Sequence, residues 1–201
     1  MSDDRKESFI FQSIQGSMEY DICVLEVNAS GPKGFPDDEV IEIGICGVDL
    51  VGMSTENLYF SRIRYDTSSW NDDKKEYTKR CGITLSDIEN GVPSDTVCRD
   101  VKGILRGRSV ASYDIRNVFY RYMVNEPWDL TKEVTTMPSV SSRLPASHRR
   151  SIPSDENIHI RNSYSRIFND DPMNVGNGKS ALDAALMTSA ILMELRKNGR
   201  Y

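Results

Sequence analysis

The chain has 201 residues, 38% of them apolar, and a formal net charge of −5. That length suits one α/β domain with room for a long insertion. The acidic balance, with a pI of about 5.2, excludes a protein that holds nucleic acid by bulk positive charge, so contact with phosphate would have to come from a local basic patch. The four cysteines, Cys23, Cys46, Cys81 and Cys98, form no closely spaced pair, and with only two histidines, His148 and His159, the chain offers no zinc pattern. Cys23 and Cys46 lie in apolar runs and read as buried thiols. Met1 is followed by Ser-Asp-Asp-Arg-Lys-Glu, and no apolar stretch reaches the roughly 18–20 residues of a membrane span. The expectation is an intracellular protein, in cytoplasm or nucleus, with no membrane contact.

Residues 1–18 are polar and aperiodic and read as a flexible arm. Ile22-Cys-Val-Leu-Glu-Val-Asn28 is a buried strand, stopped by the turn-rich Ser30-Gly-Pro-Lys-Gly-Phe-Pro36. Val40 to Val48 is a second strand and Leu58 to Ile63 a third, and two hairpin connections make the three antiparallel. Thr84 caps a short helix that Gly91 ends. Ser94 caps a longer one over 95–105, in which Val97, Val101, Ile104 and Leu105 share a face. Ser109 to Ser112 is a strand, and Asp114 to Met123 a helix.

Residues 128–177 are rich in Ser, Pro, Asn and Thr and read as an inserted loop, with a short helix near Ser163–Phe168. Ser180 to Leu195 is a strong helix that Gly199 stops. Arg196 and Lys197 near its end complement the helix dipole. Its expected buried stripe is Leu182, Ala185, Leu186, Ser189 and Met193, at spacings of three, four and seven. The order β-β-β, α, β, α, loop, α implies a mixed sheet flanked by helices.

Several segments in this order resemble the DEDDh-type 3′–5′ exonuclease family, which has the ribonuclease H-like fold. Val24-Leu-Glu-Val-Asn-Ala-Ser-Gly31 resembles its first motif, V-L-D-x-E-T-T-G, and Val40-Ile-Glu-Ile-Gly-Ile-Cys46 its second strand, I-I-E-I-G-A-V. Cys81-Gly-Ile-Thr-Leu-Ser-Asp-Ile88 resembles G-I-T-x-x-x-I. Leu105 to Ser112 resembles the strand before the second motif. Tyr113-Asp-Ile-Arg-Asn-Val-Phe119 resembles H-x-I-x-N-D-F, and Lys179-Ser-Ala-Leu-Asp-Ala-Ala185 resembles H-S-A-x-x-D-A. The resemblance covers about residues 20–195. It implies an α/β fold with three antiparallel strands followed by parallel ones, and a single exonuclease-like domain over 19–198 with an insertion at about 128–177.

It also implies a cleft chemistry in which four carboxylates hold two metal ions about 4 Å apart and a histidine acts as base. Here the residues depart from the pattern. Glu26 stands at the first aspartate position, Asn28 at the glutamate, Val118 at the second-motif aspartate, Lys179 at the histidine and Ala184 at the last aspartate. Asp183 lies one residue early, a rotation of about 100° on a helix, and should point away from the cleft. The expected reading is a non-catalytic domain with no metal and no cofactor, binding RNA, a protein partner or both. Two other readings stay open. One is an active nuclease that uses Mg²⁺ or Mn²⁺ on Glu26, Asp114 and Asp183; the other is a structural homo-oligomer without a nucleic-acid role. Arg143, His148, Arg149, Arg150, Arg161 and Arg166 make residues 143–166 locally basic; Arg143, Arg149, Arg150 and Arg161 are the candidate contacts, with Trp128 as a candidate partner anchor.

Overall fold

The computed structural model describes residues 20–148, 156–176 and 178–201. The N-terminal arm (1–18), Arg149 and Arg150 lie outside the described residues. A five-stranded sheet runs in the order β3-β2-β1-β4-β5. β1 (Ile22–Ala29), β2 (Val40–Asp49) and β3 (Ser54–Arg62) are antiparallel. β4 (Ser109–Ala111) lies parallel to β1, and β5 (Thr135–Thr136) parallel to β4. This is the mixed ribonuclease H-like sheet that the sequence implies.

β1 is apolar almost throughout because both of its faces are covered. Cys23, Leu25 and Val27 join one core with Val97, Val101 and Leu105 of α3 (Ser94–Leu105) and Phe119 and Met123 of a π-helical segment, Arg116–Met123. Ile22 and Val24 face the other way. There they meet Ala184, Ala185, Met187, Ile191 and Leu192 of α5 (Ala181–Lys197) and Ile160 of α4 (Glu156–Phe168). A third cluster seats Trp70, Ile83 and Ile88 on Ile41, beneath α1 (Asp72–Arg80) and α2 (Leu85–Glu89).

Thr84 caps α2 as expected, in a reciprocal bond with Asp87. Several local expectations need correction. β3 begins at Ser54, before Leu58. The N-cap of α3 is Pro93, which supplies no side-chain bond, and Ser94 is already helical. α1 was not foreseen: its sequence Asp-Asp-Lys-Lys-Glu-Tyr-Thr-Lys-Arg has one buried residue, Thr78, and thus no apolar period to read. α4 starts at Glu156, well before Ser163.

The buried stripe of α5 is also wider than the sequence suggests. Ala185 and Ser189 are buried as expected, but Leu182, Leu186 and Met193 are only partly covered. The helix lies between the sheet and α4, so Ala184, Met187, Ile191, Leu192 and Leu195 are buried as well. A helix covered on two sides has no single stripe. At one point it touches the sheet backbone to backbone: a Cβ on Gly44 would stand 2.4 Å from the Leu182 nitrogen.

Candidate nuclease-type cleft

Glu26 and Asn28 are two residues apart on β1, so both face α5. Both are buried, at 3% and 4% exposure. Burying them is favourable only if their polar atoms find partners. Glu26 Oε1 accepts the backbone N–H of Tyr113 at 2.6 Å and the hydroxyl of Thr188 at 2.9 Å. Tyr113 arrives on the chain leaving β4, and Thr188 from the middle of α5.

Asn28 uses its amide as a donor. Nδ2 reaches Glu42 Oε2 at 2.8 Å and the carbonyl of Lys179 at 3.1 Å. Glu42 is fully buried on β2. Its Oε2 also accepts the N–H of Ala181, the first residue of α5, at 2.7 Å, a favourable place for a negative charge. Its Oε1 pairs with Arg62 Nε at 3.0 Å, and Arg62 Nη1 reaches Asp87 at 2.7 Å. Hydrogen bonds from Thr84 hold the Asp87 carboxyl below its ordinary value, with Arg62 adding to this. One network therefore ties β1, β2, β3, α2 and the start of α5. Sequence reasoning missed Glu42; its signal was a lone glutamate inside an apolar strand.

A pocket of 50 Å³ is lined by Glu26, Tyr113, Asp114, Asn117, Val118, His159 and Ile160. Glu26 and Val118 thus come together, as the motif comparison implies. Val118 presents a buried isopropyl group to this space, and its backbone N–H bonds Asp114 O at 3.1 Å. Asp114 is engaged in its own turn, accepting from Arg116 N at 3.1 Å and Asn117 Nδ2 at 3.0 Å. The Tyr113 hydroxyl shares a 2.7 Å bond with Ser163 of α4, and burial pushes its phenol above the ordinary value. His159 joins this pocket from α4, and the sequence gave no reason to place it there because the start of α4 was not legible.

Asp183 turns away from this pocket, toward the start of its own helix. Ser180 and Asp183 form a capping box in which Asp183 Oδ2 accepts Ser180 N at 3.2 Å and Ser180 Oγ accepts Asp183 N at 3.0 Å. Its Oδ1 lies where a Cβ on Gly176 would be, at 2.0 Å. Ala184 is buried in the core. Lys179 is exposed at the rim, with its methylenes over Gly82.

A pair of Mg²⁺ or Mn²⁺ ions needs converging carboxylate oxygens. The residues here do not fit that need. Glu26 Oε1 already accepts two hydrogen bonds, Asn28 turns a donor inward, and Val118 and Ala184 supply no oxygen. Among the described residues no three His, Cys, Asp or Glu side chains converge as metal ligands.

The other candidates disperse. Trp128 is 3% exposed and belongs to the core on the α3 side, so it cannot serve as an exposed anchor. The reason is its cluster: it shares the apolar core that holds Leu130 and Met123, and burying an indole is favourable. Arg143 is exposed. Arg161 is half-buried, with Nη1 on the carbonyl of Gly178 at 3.2 Å. No described helix is long and apolar enough to cross a membrane.

No protein-family model matches the chain, and no curated protein does. Solved structures do. The nuclease domain of 3′hExo, a DEDDh family member, bound to rAMP, matches at 15% identity and a TM-score of 0.60, covering 92% of this chain and 96% of that one. A 3′-exonuclease in 3′-end specific recognition of a histone mRNA stem-loop matches at 14% and 0.60, covering 90% and 83%. Escherichia coli exonuclease I in complex with a 5cy-dT13 oligonucleotide matches at 10% and 0.60, covering 88% of this chain but 40% of that one. The chain therefore has the fold of the DEDDh 3′-exonucleases.

Proposed function

We propose that this chain is a non-catalytic domain of exonuclease fold that works by binding, as an adaptor or scaffold for RNA or a protein partner. In this reading residues 19–198 are one domain, with 128–177 as an insertion. The observation that carries it is the closed hydrogen bonding of the cleft: Glu26 is held by Tyr113 and Thr188, and Asn28 by Glu42 and Lys179 O. Two-metal hydrolysis requires carboxylates that are open to the ions and to water. This cleft has spent its polar groups on holding secondary structure together.

The similar exonucleases recognise a histone mRNA stem-loop or hold rAMP or a dT13 oligonucleotide, which supports RNA as one kind of partner. Arg143 and Arg161, with Arg149 and Arg150 between them in sequence, are the residues proposed to meet it. The test is incubation of the purified protein with end-labelled single-stranded RNA and DNA in Mg²⁺ and in Mn²⁺. Intact oligomers are expected. A ladder of shortened products, abolished by Glu26→Gln, overturns the reading.

A further inference from the structure

The far end of α5 carries a second cavity, remote from the cleft. It has a volume of 280 Å³ and is floored by Leu144, Ile167, Ile191 and Leu195. All four are aliphatic. Arg166 and Arg200 stand at its rim and are exposed. Among the described lining residues the one carboxylate is Glu194, which already accepts from Asn198 Nδ2 at 2.9 Å and lies 3.7 Å from Lys197. Arg166 gives Nη1 to the carbonyl of Ser147 at 2.9 Å, which orients the guanidinium.

The fold holds Arg200 in place by backbone geometry. α5 ends at Asn198, and Gly199 follows with φ +65°. The N–H of Gly199 then bonds Arg196 O at 3.0 Å, and that of Arg200 bonds Leu195 O at 2.9 Å. This left-handed cap folds the chain back, so Arg200 sits over the aliphatic floor. Among the described residues neither Arg200 nor Arg166 has a carboxylate partner.

We infer that this cavity docks an acidic peptide segment of a protein partner, seating one aliphatic side chain on Pro145, Ile167 and the edge of Leu195 while its carboxylates meet Arg166 and Arg200. The charge is complementary to such a segment, and two guanidinium groups can bind carboxylates bidentately. RNA fits less well. A nucleobase is held by stacking on aromatic rings, and none of the described residues lining this cavity is aromatic. The inference deepens the binding reading and rests on it, because it names the class of partner.

The test uses a fluorescein-labelled peptide of eight glutamates around a central leucine, the same peptide with serine at the centre, and an eight-nucleotide oligouridylate. Anisotropy is read on the full chain at low and moderate salt. Saturable binding of the leucine peptide is expected, weaker by about tenfold with Arg166→Ala/Arg200→Ala and weaker again for the serine peptide. The melting temperature of the double variant should match the parent, since both arginines are exposed. Absence of saturable peptide binding, equal affinity for the two peptides, or a double variant that binds as the parent does overturns the inference. Oligouridylate binding that the double variant abolishes also overturns it, in favour of RNA at this surface. A nuclease ladder from the same preparation overturns the non-catalytic reading, which is a separate failure.

Discussion

The amide of Asn28 and the carboxylate of Glu42 face each other across adjacent strands, 2.8 Å apart, in the buried interior. A donor is required at position 28 because Glu42 is an acceptor with its other bonds already fixed by Ala181 and Arg62. A carboxylate there would confront a carboxylate. Asn28→Asp is therefore expected to destabilise the fold by about 3 kcal/mol or more, the scale of an uncompensated buried charge. Urea unfolding of parent and variant checks this. An unchanged midpoint would mean that the Asn28–Glu42 bond is dispensable.

Thr188→Val keeps the side-chain shape but removes the hydroxyl that reaches Glu26. Glu26 would retain the N–H of Tyr113 and lose a buried partner. The expected cost is about 1–3 kcal/mol, read by thermal or urea unfolding, and it should disappear in a Glu26→Leu background, where no acceptor needs the hydroxyl. A cost that persists undiminished there would place the role of Thr188 elsewhere.

Ile191→Ala is expected to cost about 2–5 kcal/mol, because Ile191 is fully buried between the sheet and α4. Leu186→Ala, at a partly covered position, should cost distinctly less. Parallel urea melts rank the two. The reverse order would restore the narrower stripe read from the sequence.

The thiols give a pH prediction. Burial pushes Cys23 and Cys98 up to about 11 and Cys46 up to about 12. Thiols whose folded values are raised stabilise the native state fully below the unfolded value, near 9, and that contribution is lost as pH rises toward 11–12. The melting temperature should hold steady from pH 7 to about 8.5 and fall between about 9 and 11. At pH 8 a thiol-disulfide reagent should titrate Cys81, which is half-buried, and leave the three buried thiols untouched in the native protein. Rapid reaction of all four would contradict the packing.

Most of the fold was legible in the sequence because β1, β2 and α5 carry strong local signals: apolar runs, a capping serine and a terminal glycine. What was not legible depended on contacts distant in sequence. α1 is nearly all polar, so its placement over Ile41 and Trp70 has no periodic trace. Met193 and Leu186 look like core residues until α4 is seen to occupy the opposite side of the helix. At the cleft, Glu26 and Val118 line one pocket, with Asn28 two residues further along β1. The partners that define their chemistry, Glu42, Thr188 and His159, lie 14 to 162 residues away from them and share no motif. Trp128 misled because polar neighbours in sequence say little about a ring that folds inward.

The packing of Gly44 against the start of α5 has a consequence for how this sequence can change. With Leu182 N only 2.4 Å from where a Cβ would stand at that position, no side chain fits at 44 unless the helix start lifts off the strand, away from the Glu42 carboxylate that accepts the Ala181 N–H. Bulk at position 44 is thus coupled to the cleft, because the Ala181 N–H that a displaced helix start would withdraw is the one that meets Glu42.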